Sequence, residues 1–265
     1  MNRSLTPIIL IALLISLSAC QVFPTTQSPL KATFTPSPTS LPAPIQPTAL
    51  PAPIVVPVEI NEILSSPPLT ITARFPRVDA PGDARYDGLN RAAEALVHDA
   101  VKSFRDDITN PAFKPEPSVP GSFIEVTYDV LFGANGLVSY LFTMHYYMSG
   151  AAHPNQYSAS LNYDLSRGKI LALTDIFSSS SNYLAALVDY CLQDLKRQNV
   201  LEWGENLTAS PDSFQAWAIQ PDGLRITFDP YIVAPYAMGP QKVLIPFAAL
   251  KDYIHPTGPL AALVK

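Results

Sequence analysis

Residues 123–146 read FIEVTYDVLFGANGLVSYLFTMHY, and this stretch decides the fold. Ile124, Val126, Tyr128, Val130 and Phe132 alternate with Glu125, Thr127, Asp129 and Leu131. A period of two sends successive side chains to opposite faces, as a half-buried strand requires. Gly133-Ala134-Asn135-Gly136 then supplies residues that tolerate positive φ. Val138, Tyr140, Phe142, Met144 and Tyr146 alternate on the way back. Two long strands around a tight turn predict an antiparallel hairpin.

The pattern extends towards the C-terminus. Tyr157, Ala159, Leu161, Tyr163 and Leu165 alternate with Ser158, Ser160, Asn162 and Asp164, and Ser166-Arg167-Gly168-Lys169 turns the chain again. Further strands are expected over 214–219, over 224–228 after the turn Pro221-Asp222-Gly223, and over 241–245. Two helices are read from 3.6-residue spacing. One runs from about Tyr86 to Phe104, with Leu89, Ala92, Ala93, Leu96, Val97, Ala100, Val101 and Phe104 on one face. The other runs from about Ser181 to Gln198 on Tyr183, Leu184, Leu187, Val188, Cys191, Leu192 and Leu195. A short helix covers Pro246 to Tyr253. Helices inserted between groups of strands predict an α+β domain: an antiparallel sheet with two long helices packed mainly on one face.

The beginning of the chain has another character. Arg3 is the only charge before an aliphatic run from Ile8 to Leu17, which ends in Leu17-Ser18-Ala19-Cys20. A basic start, a short apolar stretch and small residues before a cysteine resemble a bacterial lipoprotein signal. About ten apolar residues are too few to span ~30 Å of hydrocarbon. The resemblance implies cleavage before Cys20, lipid on Cys20, and a protein anchored on the extracytoplasmic side of a membrane in the cell envelope. From Gln21 to Val58 the chain carries ten prolines and no glycine. Proline fixes φ and removes a donor, so this stretch is expected to be an extended tether. At ~3.1 Å per residue its reach is on the order of 100 Å. The expected organisation is a signal peptide over 1–19, a lipidated cysteine and Pro/Thr/Ser-rich linker over 20–58, and a folded domain over 59–265. That domain divides into a smaller part (59–120) and a C-terminal part (121–265).

Composition narrows the partners. Hydrophobic residues make up 48% and charged residues 15%, enough for one sizeable core. The net charge of −5 argues against a nucleic-acid partner, which requires a basic face. With Cys20 lipidated, only Cys191 remains, so no intrachain disulfide is expected, and its place on an apolar helical face makes it a core thiol.

Three segments together resemble the extracytoplasmic domain of the RsiV family, named for an anti-sigma factor whose outer domain recognises lysozyme. They are Tyr146-Tyr147-Met148-Ser149-Gly150-Ala151-Ala152-His153-Pro154-Asn155 with the following strand, Leu171-Ala172-Leu173-Thr174-Asp175-Ile176-Phe177, and the run from Ile226 through Asp229-Pro230-Tyr231 to Gly239 and Val243-Leu244-Ile245-Pro246-Phe247. The resemblance covers about residues 123–253. It implies a recognition domain whose loop enters a muramidase cleft. The sequence departs from the regulator in showing no internal membrane-spanning helix and no sigma-binding segment.

Two loops hold the candidate ligand-binding residues. In 229–239, Tyr231, Pro235 and Tyr236 combine large contact area with a stiffened backbone; the alternative is a buried crossover between strands. In 149–155, Ser149, His153 and Asn155 offer hydrogen bonds, or else satisfy the turn's own backbone. Catalytic signatures are weak. Ser166-Arg167-Gly168-Lys169 matches S-x-x-K but closes a hairpin instead of opening a helix. His98, His145, His153 and His255 are scattered, and Asp79, Asp83 and Asp87 lack the spacing of a calcium loop. No catalytic residue, metal or cofactor is expected. The sequence thus points to a non-catalytic envelope lipoprotein that binds a lysozyme-like muramidase. The alternatives are a peptidoglycan or wall-glycan binding module and, less favoured, a wall-glycan-modifying enzyme.

Overall fold

The structure, a computed structural model, describes residues 54–115 and 119–264. Cys20 and the expected tether up to residue 53 lie outside the described residues. The fold is α+β, as expected, but the strands form two sheets. The first holds six strands in spatial order β1-β2-β3-β4-β5-β6. They are β1 (Ile54–Ser65), β2 (Pro68–Asp79), β3 (Ser122–Ala134), β4 (Leu137–Tyr147), β5 (Asn155–Asp164) and β6 (Lys169–Ile170). The second holds β7 (Trp217–Gln220), β8 (Gly223–Phe228) and β9 (Gln241–Pro246).

The hairpin β1–β2 was not read from the sequence, and the tether boundary moves with it. Ile54 to Val58, placed in the linker, begin β1 instead. Their β-branched side chains suit a strand. Proline is tolerated because Pro57 faces Pro76 where the sheet is only two strands wide: the pairing of β2 with β3 stops at Ala73. That pairing is parallel and requires the long crossover that α1 (Arg85–Thr109) supplies.

Helix α1 covers one face of the large sheet. Leu89, Ala93, Val97, Val101, Phe104 and Ile108 are buried against Ile71, Ala73, Ile124, Val126, Tyr140, Phe142, Met144 and Leu161. Asn90 fastens the helix to β2: its Oδ1 accepts from Val78 N at 2.8 Å and its Nδ2 donates to Val78 O at 2.9 Å. The β3–β4 turn has positive φ at Asn135 (54°) and Gly136 (76°), the conformation that matches the twist of a hairpin.

A second core gathers α2 (Leu173–Ile176), α3 (Tyr183–Arg197), α4 (Phe247–Leu250) and the small sheet. Leu187, Cys191 and Leu195 of α3 pack with Ile219, Leu224, Ile226, Val243 and Ile245. The two long helices are therefore shared out, one to each core. β1, β2 and α1 complete the sheet of β3–β5 around the first core, while Phe132 and Leu137 of β3 and β4 belong to the second. Cys191 is fully buried, and burial pushes its thiol far above the usual range.

The two sheets meet at a buried polar junction. Ser139 Oγ donates to Asn162 Oδ1 at 2.6 Å, and Asn162 Nδ2 donates to Trp217 O at 2.8 Å. Ile219 N donates to Ser139 Oγ at 3.0 Å. Among the described residues no helix is long and apolar enough to cross a membrane.

Candidate functional site

The loop between β8 and β9 is pinned from beneath. Val233 and Ala234 are buried, and Val233 O accepts from Glu202 N at 3.0 Å and Trp203 N at 3.1 Å. Gln241 Nε2 donates to Met238 O at 2.8 Å and Gly239 O at 3.0 Å, while Gly239 takes a φ of 66° that suits glycine. Asp229 ties the loop to the other sheet: its carboxylate accepts from Ser158 N at 2.9 Å and Ser158 Oγ at 2.7 Å. Burial holds the Asp229 carboxyl above the usual carboxylate range, against the lowering effect of those bonds.

This framework turns side chains outward. Tyr231 is 47% exposed, with Ile232 and Met238 exposed beside it. Tyr231 has a φ of 72°, a left-handed backbone that a tyrosine seldom adopts. Its ring stacks on Tyr236 with centroids 5.8 Å apart, and Tyr236 lies 4.2 Å from the ring of His153, which comes from the loop between β4 and β5. The Tyr231 hydroxyl is 3.3 Å from His153 Nε2, and His153 Nδ1 is 2.7 Å from Pro154 O. A carbonyl oxygen only accepts, so Nδ1 carries a proton and donates to Pro154 O, which leaves Nε2 facing the Tyr231 hydroxyl.

The remaining predicted residues are placed unevenly. Pro235 is half-buried and precedes the short 3₁₀ turn Tyr236–Met238. Asn155 is half-buried at the start of β5, with its Oδ1 accepting from Gln156 N at 2.8 Å. Ser149 is buried, and its N–H donates to Ser122 Oγ at 3.0 Å, so it sits at the base of its loop and not on the ridge. A shallow hollow of about 290 Å³ opens beside His153, lined by Tyr146, Met148, Ala151, Ala152 and Asn155. Tyr146 and Met148 also line a neighbouring hollow with Tyr157, and the Tyr146 and Tyr157 rings meet edge to face at 6.1 Å. Sequence reasoning missed Asp229, Tyr146 and Tyr157 as site residues. Strand alternation marks both tyrosines as core, and nothing local shows that Asp229 reaches β5.

Elsewhere, Lys169 Nζ donates to Asp175 Oδ1 at 2.8 Å and holds that carboxyl below its usual range. Ser166 instead donates to Asp164. Among the described residues no three His, Cys, Asp or Glu side chains gather as a metal site would require.

Exposed aromatic faces and hydrogen-bonding groups, with the Asp229 carboxylate engaged from within, form a surface suited to sugar rings or to a protein cleft. Comparison with known proteins bears on which. Residues 174–248 match the family described as a protein of unknown function, DUF3298. Two solved DUF3298 proteins share the fold. One, from Bacteroides fragilis NCTC 9343, superposes with a TM-score of 0.55 at 20% identity, over 82% of this chain and 98% of its own. The other, from Pseudomonas aeruginosa PAO1, gives 0.53 at 17% identity, over 78% and 95%. A curated relative, the peptidoglycan-N-acetylmuramic acid deacetylase PdaC of Bacillus subtilis (strain 168), is 27% identical over 171 residues, 63% of this chain. The chain spans about a third of that relative's length (35%). This corrects one expectation. The sequence pointed to a protein without catalysis, yet the curated relative is named as an enzyme, so the non-catalytic reading is withdrawn.

Proposed function

We propose that this protein is a cell-envelope module that engages the glycan of peptidoglycan through the Tyr231–Tyr236–His153 ridge, in the service of wall-glycan modification. The observation that carries the reading is an exposed aromatic cluster assembled from two loops 78 residues apart and fixed from below, with Tyr231 kept in a strained backbone. Sugar rings present apolar C–H faces that pack on aromatic rings, and their hydroxyls find His153 and Asn155 nearby. The curated relative's named substrate supports the same ligand class. In this reading Cys20 carries lipid, and the residues after it hold the domain away from the membrane on its extracytoplasmic side.

A second reading is favoured by Ile232 and Met238, 41% and 39% exposed beside the tyrosines. Apolar flanks suit a protein partner, and the loop would then enter the cleft of a lysozyme-like muramidase. Calorimetric titration of the full chain with N-acetylated chitooligosaccharide and with lysozyme separates the two. The glycan alone binds under the first reading. Under the second only lysozyme binds, and sugar in its cleft blocks it. A parallel assay for acetate released from peptidoglycan tests turnover. Heat from neither ligand removes both readings.

A further inference from the structure

The large sheet has a second face, opposite α1, and the tyrosine ridge is anchored to it. Ile124, Val126 and Met144 turn towards the helix, so strand alternation turns Phe123, Glu125, His145 and Tyr147 the other way. Gln156 and Ser158 lie on that same face of β5, and Ser158 is the residue that holds Asp229 at the root of the ridge. The small sheet crosses this face at Ser139 and Asn162, near the opposite end of the strands.

Two features of the face point to a ligand. The first is aromatic. The Phe123 ring lies 5.3 Å from that of His145 and stacks on Tyr147 at 6.1 Å. All three are half-buried, and neither Phe123 nor Tyr147 belongs to either core. The second feature is polar. Strand register places Asn61, Thr72, Glu125, His145 and Gln156 on one rung across five neighbouring strands. Four strand spacings of ~4.8 Å make this rung roughly 19 Å long. Glu125 is exposed, and the side chains of Glu125, His145 and Gln156 have no hydrogen-bond partner among the described residues. Rings outside the cores beside unpaired polar groups repeat the chemistry of the ridge.

We propose that this open face extends the glycan site, so that the ligand is a strand of several sugars and not a single disaccharide. The inference rests on the ridge reading given above. One end of the strand packs on Tyr231 and Tyr236. The strand then follows the rung, with sugar faces on Phe123, His145 and Tyr147 and hydroxyls donating to the Glu125 carboxylate and Gln156 Oε1.

The test is calorimetric titration of the full chain with N-acetylated chitotriose and chitohexaose. The trimer is short enough for the ridge alone, whereas the hexamer reaches across the sheet. The hexamer should bind about tenfold tighter or more, since aromatic anchors carry much of a site's binding. Phe123→Ala/His145→Ala removes two half-buried rings and should bring the hexamer down to the affinity of the trimer, with the trimer unchanged. Glu125→Ala alters an exposed side chain without a partner, so the fold is kept. It should weaken the hexamer about three- to tenfold, the worth of one hydrogen bond. A hexamer that binds no tighter than the trimer would overturn this inference and leave the ridge reading standing. So would a preference for the hexamer that the folded variants retain. Failure of both sugars to bind would remove the ridge reading and this inference with it.

Discussion

Tyr231 offers a sharp test of why the ridge looks as it does. Its φ of 72° places an L-residue where Cβ crowds the following carbonyl oxygen, at a cost of about 1–2 kcal/mol. Glycine avoids that cost but loses about 0.5–1 kcal/mol through the extra freedom of its unfolded backbone. Replacing Tyr231 by Ala or by Gly deletes the same ring, the same stack on Tyr236 and the same contact with His153. The two variants differ only in Cβ. Tyr231→Gly should therefore be more stable than Tyr231→Ala by about 0.5–1 kcal/mol, the reverse of the usual order of these residues. In urea, with a slope of about 2 kcal/mol/M, that is a midpoint higher by roughly 0.3–0.5 M. Both variants should lose glycan binding to the same degree. Equilibrium urea unfolding followed by circular dichroism measures the first, calorimetry the second. If Ala proves as stable as Gly, the left-handed backbone is not a cost that function maintains, and the argument from strain collapses.

Other perturbations probe the frame beneath the site. Asn162→Ala removes the bond to Trp217 O and the acceptor of Ser139; it should cost about 2–4 kcal/mol and lower Tm by roughly 5–15 °C, and a double-mutant cycle with Ser139→Ala should show coupling between the two. Gly88→Ala should destabilise despite alanine's better helix propensity, because the new Cβ falls 2.0 Å from the buried Tyr163 hydroxyl; overpacking of this kind costs about 1–3 kcal/mol, and Tyr163→Phe in the same chain should restore part of it. Asp229→Asn tests the buried carboxylate. The folded pKa of Asp229 lies above its unfolded value, so the stability it contributes is fully present below the unfolded pKa and lost as pH rises through the folded one. The Tm of Asp229→Asn relative to wild type should accordingly rise between pH 3 and pH 7, and a flat or falling difference would show that the carboxylate is not penalised by burial.

Much of the fold was legible because local pattern and tertiary role agree. The hairpin at 122–147 and the helix from Arg85 carry their periods openly, since each buries one face and exposes the other. The β1–β2 hairpin did not show itself, because Pro57 and Pro76 read as breakers until their opposition at a two-stranded margin is seen. The split into two sheets was also hidden: β7 lies across β4 and β5 through Ser139 and Asn162, which read as ordinary outward-facing polar residues. At the site, the sequence supplied Tyr231, Tyr236 and His153 separately. Their union depends on Asp229 reaching Ser158, a contact between residues 71 apart that no local spacing announces.

The most direct test of the account is the affinity of the folded full chain for N-acetylated chitooligosaccharide, compared with that of the Tyr231→Ala/Tyr236→Ala double variant. Saturable binding by the wild-type protein that falls at least tenfold in a folded double variant is the expected result, given how far buried aromatics dominate binding sites. Wild-type binding that the double variant retains, or no binding by the folded wild-type chain, would contradict the claim that this ridge is a glycan site.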